Sequence, residues 1–298
     1  MTAGFPPGWR PDDAAPGAPG RGRGDKRRRL AWVPTLVVGV VLFELVRRAL
    51  VATQNPNLVP TLILLGAAVV PAAFVAFVYG RRLPYDVSGL LLAFTVLVGG
   101  VVGVVLAGTW EYHTLQRLGT VPMAAVGLAE ETAKLVVPAI VLLFVGYRRP
   151  ANGLLLGVAS GAGFAALETM GYAFVTLLES RGNLATVDGV LLLRGLLSPA
   201  AHMAWTGLTA AALWHTAASR WRPPALARLV GMFLMAVALH TAWDSLHSLA
   251  SYLVLSVISL ALLVTTAHLL ARDDRRALAG RPHMLTTGAG RSRGGRLR

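Results

Sequence analysis

Cysteine is absent from the 298 residues, which excludes disulfides, thiolate metal sites and a cysteine nucleophile. Charge is scarce as well: Asp, Glu, Lys and Arg together make 14% of the chain, where a water-soluble domain usually carries about a quarter. Lysine is nearly missing, with Lys26 and Lys134 the two examples against 26 arginines. What fills the chain instead is apolar. A hydrophobic share of 55% and a mean hydropathy of +0.59 describe a protein surrounded by lipid. On a soluble domain the net charge of +14 would suggest nucleic acid. Here the basic residues lie in the tails and between apolar runs, where they orient helices, so no nucleic-acid partner is expected.

Residues 1–29 contain Pro6, Pro7, Pro11, Pro16, Pro19 and the run Lys26-Arg27-Arg28-Arg29, with almost nothing to bury. They read as a disordered, basic cytoplasmic tail, and residues 272–298 read the same way. Between them lies a membrane domain, 30–271. A spanning helix needs about 20 mostly apolar residues, and eight segments qualify, at 30–50, 58–79, 88–108, 122–147, 152–179, 189–217, 225–249 and 251–271. The expected fold is therefore all-α, a polytopic bundle of eight transmembrane helices. With both termini cytoplasmic, 22 of the 28 basic residues fall inside, among them Arg81, Arg82, Arg148 and Arg149, and the outer side keeps Arg47, Arg48, Arg117 and Arg181. The excess of Arg over Lys in an Ala- and Gly-rich chain points toward a bacterial source and hence the cell membrane. Gly153, Gly157 and Gly161, continued by Ala165, form a small-residue stripe on the fifth span, a pattern that lets a neighbouring backbone come close.

An ionisable side chain near the bilayer centre costs about 2.5–3.5 kcal/mol even on the lenient insertion scale, so each needs a reason. In this chain they cluster on four consecutive spans: Glu130, Glu131 and Lys134 within AEETAK, Glu168 within GFAALE, Arg194 and His202 within RGLLSPAAH, and His240 and Asp244 within HTAWD. Counted from the outer ends at about 1.5 Å per residue, they lie about 8–20 Å deep, one broad layer in the outer half of the bilayer. Glu130 and Lys134 are four apart and share a face, so their ion pair neutralises two costly charges. Glu131 is turned about 100° away and faces another group. A carboxylate in a low-dielectric cavity suits a general base for water. His240 and Asp244 are also four apart, so the carboxylate can fix the imidazole tautomer and leave the other nitrogen for water, an oxyanion or a metal. Arg194 reads equally as an interfacial anchor or as an internal partner of Glu168. Other polar groups read as structural: Glu44 with Arg47 and Arg48 as a packing set, His215 and His247 as helix-end residues, His113, His268 and His283 as peripheral. Ser198 before Pro199 marks a helix kink and no serine nucleophile, since no base is placed for it.

The ordered set EETAK, FAALE, HTAWD resembles the PrsW family of intramembrane proteases, whose motifs run EExxK, FxxxE and HxxxD on successive helices. The resemblance covers residues 120–250. The related CAAX prenyl endopeptidases and bacteriocin-processing enzymes read EExxxR and FxxxH at the first two motifs. Lys134 and Glu168 depart from those patterns and favour PrsW. The resemblance implies hydrolysis of a peptide bond within or near the membrane, in a membrane-spanning protein substrate such as an anti-sigma factor cut on its extracytoplasmic side. Carried over by position, Glu130, Glu131 and Lys134 match the first motif, Phe164 and Glu168 the second, and His240 and Asp244 the third. His202 joins them because the CAAX enzymes use histidines from two helices. Two mechanisms remain open. In one, without a metal cofactor, Glu131 activates water while His202 or His240 stabilises the oxyanion. In the other, His202, His240 and Glu131 hold zinc with an open position. The rival reading from the same charges is a proton- or cation-coupled transporter, and a third is an inert membrane scaffold.

Overall fold

The computed structural model describes residues 23–81, 83–146 and 149–279. The proline-rich part of the first tail, the end of the last tail, and the expected cytoplasmic residues Arg82 and Arg148 lie outside the described residues. In lipid every backbone N–H and C=O must be satisfied within the chain, so long apolar runs become helices. Among the described residues there are ten α-helices and two 3₁₀ turns, with no strand. The helices are α1 (Arg23–Leu30), α2 (Trp32–Thr53), α3 (Val59–Tyr79), α4 (Gly89–Leu118), α5 (Met123–Val145), α6 (Pro150–Glu179), α7 (Leu184–Leu197), α8 (His202–Ala218), α9 (Pro223–Ser245) and α10 (Leu249–Ala279). Helix therefore extends past the expected 30–271 limits at both ends.

By length and composition seven helical stretches suit a membrane crossing. The 23-residue α5 completes the eight spans read from the sequence, set apart by its three ionisable residues. The protein is a polytopic, all-α membrane bundle. Its sixth span departs from the expected continuous helix over 189–217. Pro199 lacks an N–H and its ring clashes with the preceding turn, so α7 stops at Leu197. A 3₁₀ turn, Ser198–Ala200, follows, and Ala201 leaves helical geometry altogether at φ −112°, ψ −111°. The break is complete where the sequence suggested a kink, and it is sheltered: Ala200 and Ala201 are buried, the condition under which irregular backbone is tolerated at membrane depth.

The central element is α6, buried almost continuously from Ala151 to Ala165 and packed against α3, α4, α5, α7 and α8. Its glycine stripe faces α8. A Cβ at Gly153 would lie 2.6 Å from the Ala210 carbonyl oxygen, one at Gly161 2.6 Å from that of His202, and one at Gly157 would press on that of Thr206. On the other side of α6, Gly163 meets Gly100 and the Val96 carbonyl of α4. Three helices are thereby drawn to backbone contact around the part of α6 that leads to Glu168. At the end of the bundle carrying Pro150, Asn152 and Asp86 bind reciprocally, the Asp86 N–H to Asn152 Oδ1 at 2.8 Å and Asn152 Nδ2 to Asp86 Oδ2 at 2.9 Å. This pair fixes the α3–α4 connection onto the start of α6.

Candidate active site

The first half of the site comes from a single turn of α5. Glu130, Glu131 and Lys134 are all buried, and the Lys134 side chain is wholly enclosed. Its ammonium lies 2.8 Å from Glu131 Oε1 and 3.2 Å from Glu130 Oε2, so it pairs with both neighbouring carboxylates. It also reaches across to α8, 2.8 Å from His202 Nδ1, and stands 4.3 Å from the centre of the Phe164 ring. A buried ammonium is costly unless compensated, and here two carboxylates, an imidazole and an aromatic face surround it. Ser160 of α6 holds the turn itself, donating its hydroxyl to the Lys134 carbonyl at 2.6 Å.

A further part comes from α9. His240 is fully buried, its Nδ1 2.9 Å from Glu131 Oε1. With the proton on Nδ1 and donated to that carboxylate, Nε2 presents a lone pair. Yet Nε2 faces two more acceptors, Asp244 Oδ2 at 3.2 Å and Glu130 Oε2 at 3.4 Å. Neither His240 Nε2 nor Glu130 Oε2 completes a hydrogen bond, and both are buried. Lys134 stands on Glu130 Oε2 from one side at 3.2 Å, but between His240 Nε2 and the two carboxylates a further cation is needed, either a proton on the ring or a metal ion.

The break between α7 and α8 contributes the rest. His202 begins α8, and since the ammonium of Lys134 can only donate, Nδ1 accepts and the ring proton sits on Nε2. That nitrogen is 3.0 Å from Glu168 Oε2 of α6. Arg194 of α7 stands on the same oxygen with Nη2 at 2.7 Å. It therefore acts as the internal partner of Glu168, and its guanidinium also covers the Tyr172 ring at 3.9 Å. The His202 and His240 rings meet at 5.1 Å between centroids, and Trp205 lies the same 5.1 Å from His240.

All seven residues singled out as catalytic in the sequence thus join one connected cluster of side chains. The metal set expected from the sequence was Glu131, His202 and His240; among the described residues, Glu130, His202 and His240 have ligand atoms within 4.8 Å of one another. Glu131 is turned aside because its Oε1 already serves both Lys134 and His240 Nδ1. Exposure rises across the cluster, from none at His240 and Lys134 to 16% at Glu168, 20% at Arg194 and 22% at Asp244. The open side therefore faces Asp244 and Arg194. Two residues not singled out from the sequence stand there, Tyr172 over Arg194 and Glu111 of α4. Glu111 lies within electrostatic reach of Glu168, His240 and Asp244.

A family model described as PrsW family intramembrane metalloprotease matches residues 88–270, more than half of the chain. The matched segment holds every residue of the cluster. No curated protein and no solved structure matches the chain. A buried Glu-Glu-Lys turn, two facing imidazoles and a polytopic bundle accord with that match, and the chain belongs to the PrsW family of intramembrane metalloproteases.

Proposed function

We propose that this intramembrane protease hydrolyses a peptide bond in a single-span membrane protein, with Glu131 as the general base and Glu130, His202 and His240 as the holders of a zinc ion. The observation that carries the reading is the convergence of His240 Nε2 on Glu130 Oε2 and Asp244 Oδ2, at 3.4 and 3.2 Å. Two imidazoles and one carboxylate are a donor set with ample precedent in zinc hydrolases; buried His240 Nε2 and Glu130 Oε2 complete no hydrogen bond, and His202, whose Nε2 faces Glu168, would join them through Nδ1 on its release from Lys134. Zinc bound there would polarise the scissile carbonyl and favour deprotonation of the attacking water.

The chain's own residues have separable parts. Glu131 is held through Oε1 by Lys134 and His240, while its Oε2 is buried without a hydrogen-bond partner. A carboxylate fixed by one oxygen and free at the other is suited to take a proton from water and return it to the leaving amine. Through Oε1 the same carboxylate sets the His240 tautomer, so that Nε2 faces the reaction centre. Glu168, backed by Arg194, orients His202 from the opposite side. Lys134 is a fixed positive charge beside the place where negative charge develops on the carbonyl oxygen, which lowers the barrier without reorganisation.

The active layer lies in the outer half of the cell membrane with both termini cytoplasmic, a reading supported by the 22 basic residues gathered on one side. A membrane-bound anti-sigma factor cut on its extracytoplasmic side is the substrate class consistent with that placement. The test is cleavage of a single-span reporter by the purified chain in detergent, comparing wild type with Glu131→Gln and His240→Ala. Product from wild type alone is expected. Equal cleavage by all three would remove the proposed site, and solute flux dependent on Glu131 in place of cleavage would favour the transporter reading.

A further inference from the structure

At the other end of the bundle, α1, α2, the residues just after α3 and the Val264–Ala271 stretch of α10 line a crevice of about 740 Å³. None of its lining residues belongs to the catalytic cluster. Its polar lining is basic, with Arg29, Arg81 and His268, and among the described residues no Asp or Glu lines it. Its remaining wall is apolar, formed by Leu30, Val264 and Ala267 among others. Trp32 also lines it, and an indole is favoured at a membrane surface.

Two arginines at this end of the bundle are stacked on aromatic rings. The Arg81 guanidinium lies 3.6 Å over the Phe77 ring. On the adjoining turn, Arg28 lies 3.7 Å over Tyr79 and donates its Nε to the Tyr79 carbonyl at 3.1 Å. The floor is formed by Gly80, where a Cβ would come within 2.7 Å of the Arg28 carbonyl oxygen. The bare backbone there is what lets α1 close over the end of α3.

We propose that this crevice is a binding site for one anionic phospholipid, its phosphate between Arg29 and Arg81 and its upper acyl carbons along Val264 and Ala267 of α10. Planar, multi-donor guanidinium groups match phosphate oxygens. The apolar wall favours a lipid over a free phosphate, which has nothing to place against it. The volume exceeds what a phosphate alone fills and accommodates a glycerophosphate headgroup with the start of its chains. A lipid bound there joins the first and last helices of the described chain, α1 and α10.

The test is native mass spectrometry of the full-length chain equilibrated with equal amounts of phosphatidylglycerol and phosphatidylcholine. Wild type is expected to retain one phosphatidylglycerol in preference to phosphatidylcholine. Arg29→Gln with Arg81→Gln is expected to weaken retention about thirtyfold, from about fivefold for each basic residue near the surface. Ala267→Trp keeps the charges but fills the crevice, and is expected to expel the lipid as well. Glycerol 1-phosphate, which has the headgroup without the chains, is expected to displace none. Equal retention of the two lipids by wild type would overturn the site, as would undiminished retention by the double arginine variant. Displacement by glycerol 1-phosphate would overturn its assignment to a lipid.

Discussion

Replacing Lys134 by Met removes one ammonium and keeps nearly the same length of apolar stem. In the native site that ammonium stands 2.8 Å from Glu131 Oε1, 3.2 Å from Glu130 Oε2 and 2.8 Å from His202 Nδ1, wholly enclosed. Its loss leaves two adjacent buried carboxylates with no compensating cation on α5, and deprives the His202 Nδ1 of its donor. Breaking a buried pair by deleting one partner costs about 3–5 kcal/mol, because a charge remains without compensation. For a chain of this size that corresponds to a fall in melting temperature of about 5–8 °C. The assay is thermal unfolding of the purified protein in a mild detergent, with Glu131→Gln, Lys134→Met and the double variant measured together. If the charges are the cause, neutralising Glu131 in the Lys134→Met background recovers part of the loss, giving a coupling of about 1–3 kcal/mol. A Lys134→Met protein as stable as wild type would refute the electrostatic account of the α5 turn, as would costs for the two substitutions that simply add.

The helix packing makes its own predictions. Gly157→Leu drives a side chain into the Thr206 carbonyl and the Ala210 Cβ, and is expected to cost about 1–3 kcal/mol or more by overpacking. It should also abolish cleavage by shifting His202 away from Glu168. Gly171→Leu, on the same helix but facing open space, should change neither thermal stability nor cleavage. Trp205 Nε1 donates to Ser259 Oγ at 2.9 Å, tying α8 to α10. Trp205→Phe should therefore lower stability by about 1 kcal/mol, read from the same melts, with Ser259→Ala adding little once the indole is gone.

Much of the site could be read in the sequence because charge inside a membrane span is rare enough to be informative. Lys134 four residues after Glu130, and Asp244 four after His240, fix shared helix faces before any coordinates. Which of Glu130 and Glu131 brings a carboxylate oxygen together with a nitrogen of both imidazoles was not legible. Adjacent residues differ by a rotation of the helix, and that rotation is set by the packing of Ser160 and the partner helices. Pro199 announced an interruption of the sixth span, but whether a proline bends or breaks a helix depends on what shelters the freed backbone, here a buried turn at Ala200 and Ala201. Glu111 was hidden for a different reason. The apolar window of the third span ends near Gly108, yet the α4 hydrogen-bond ladder continues to Leu118, carrying a carboxylate toward the open side of the site. Tyr172 reads as an ordinary lipid-facing aromatic until the guanidinium of Arg194 is seen above its ring.

In the proposed site Glu130, His202 and His240 hold a metal which Glu131 does not ligate. Zinc content per chain, measured by elemental analysis on purified wild type, Glu130→Gln, His202→Ala, His240→Ala and Glu131→Gln, tests it most directly. The account predicts one zinc in wild type and in Glu131→Gln, the latter inactive toward a single-span reporter, and a stoichiometry near zero in the other three. Full zinc in Glu130→Gln together with its loss in Glu131→Gln would contradict the assignment, and a metal-free wild type that cleaves at full rate would contradict the zinc itself.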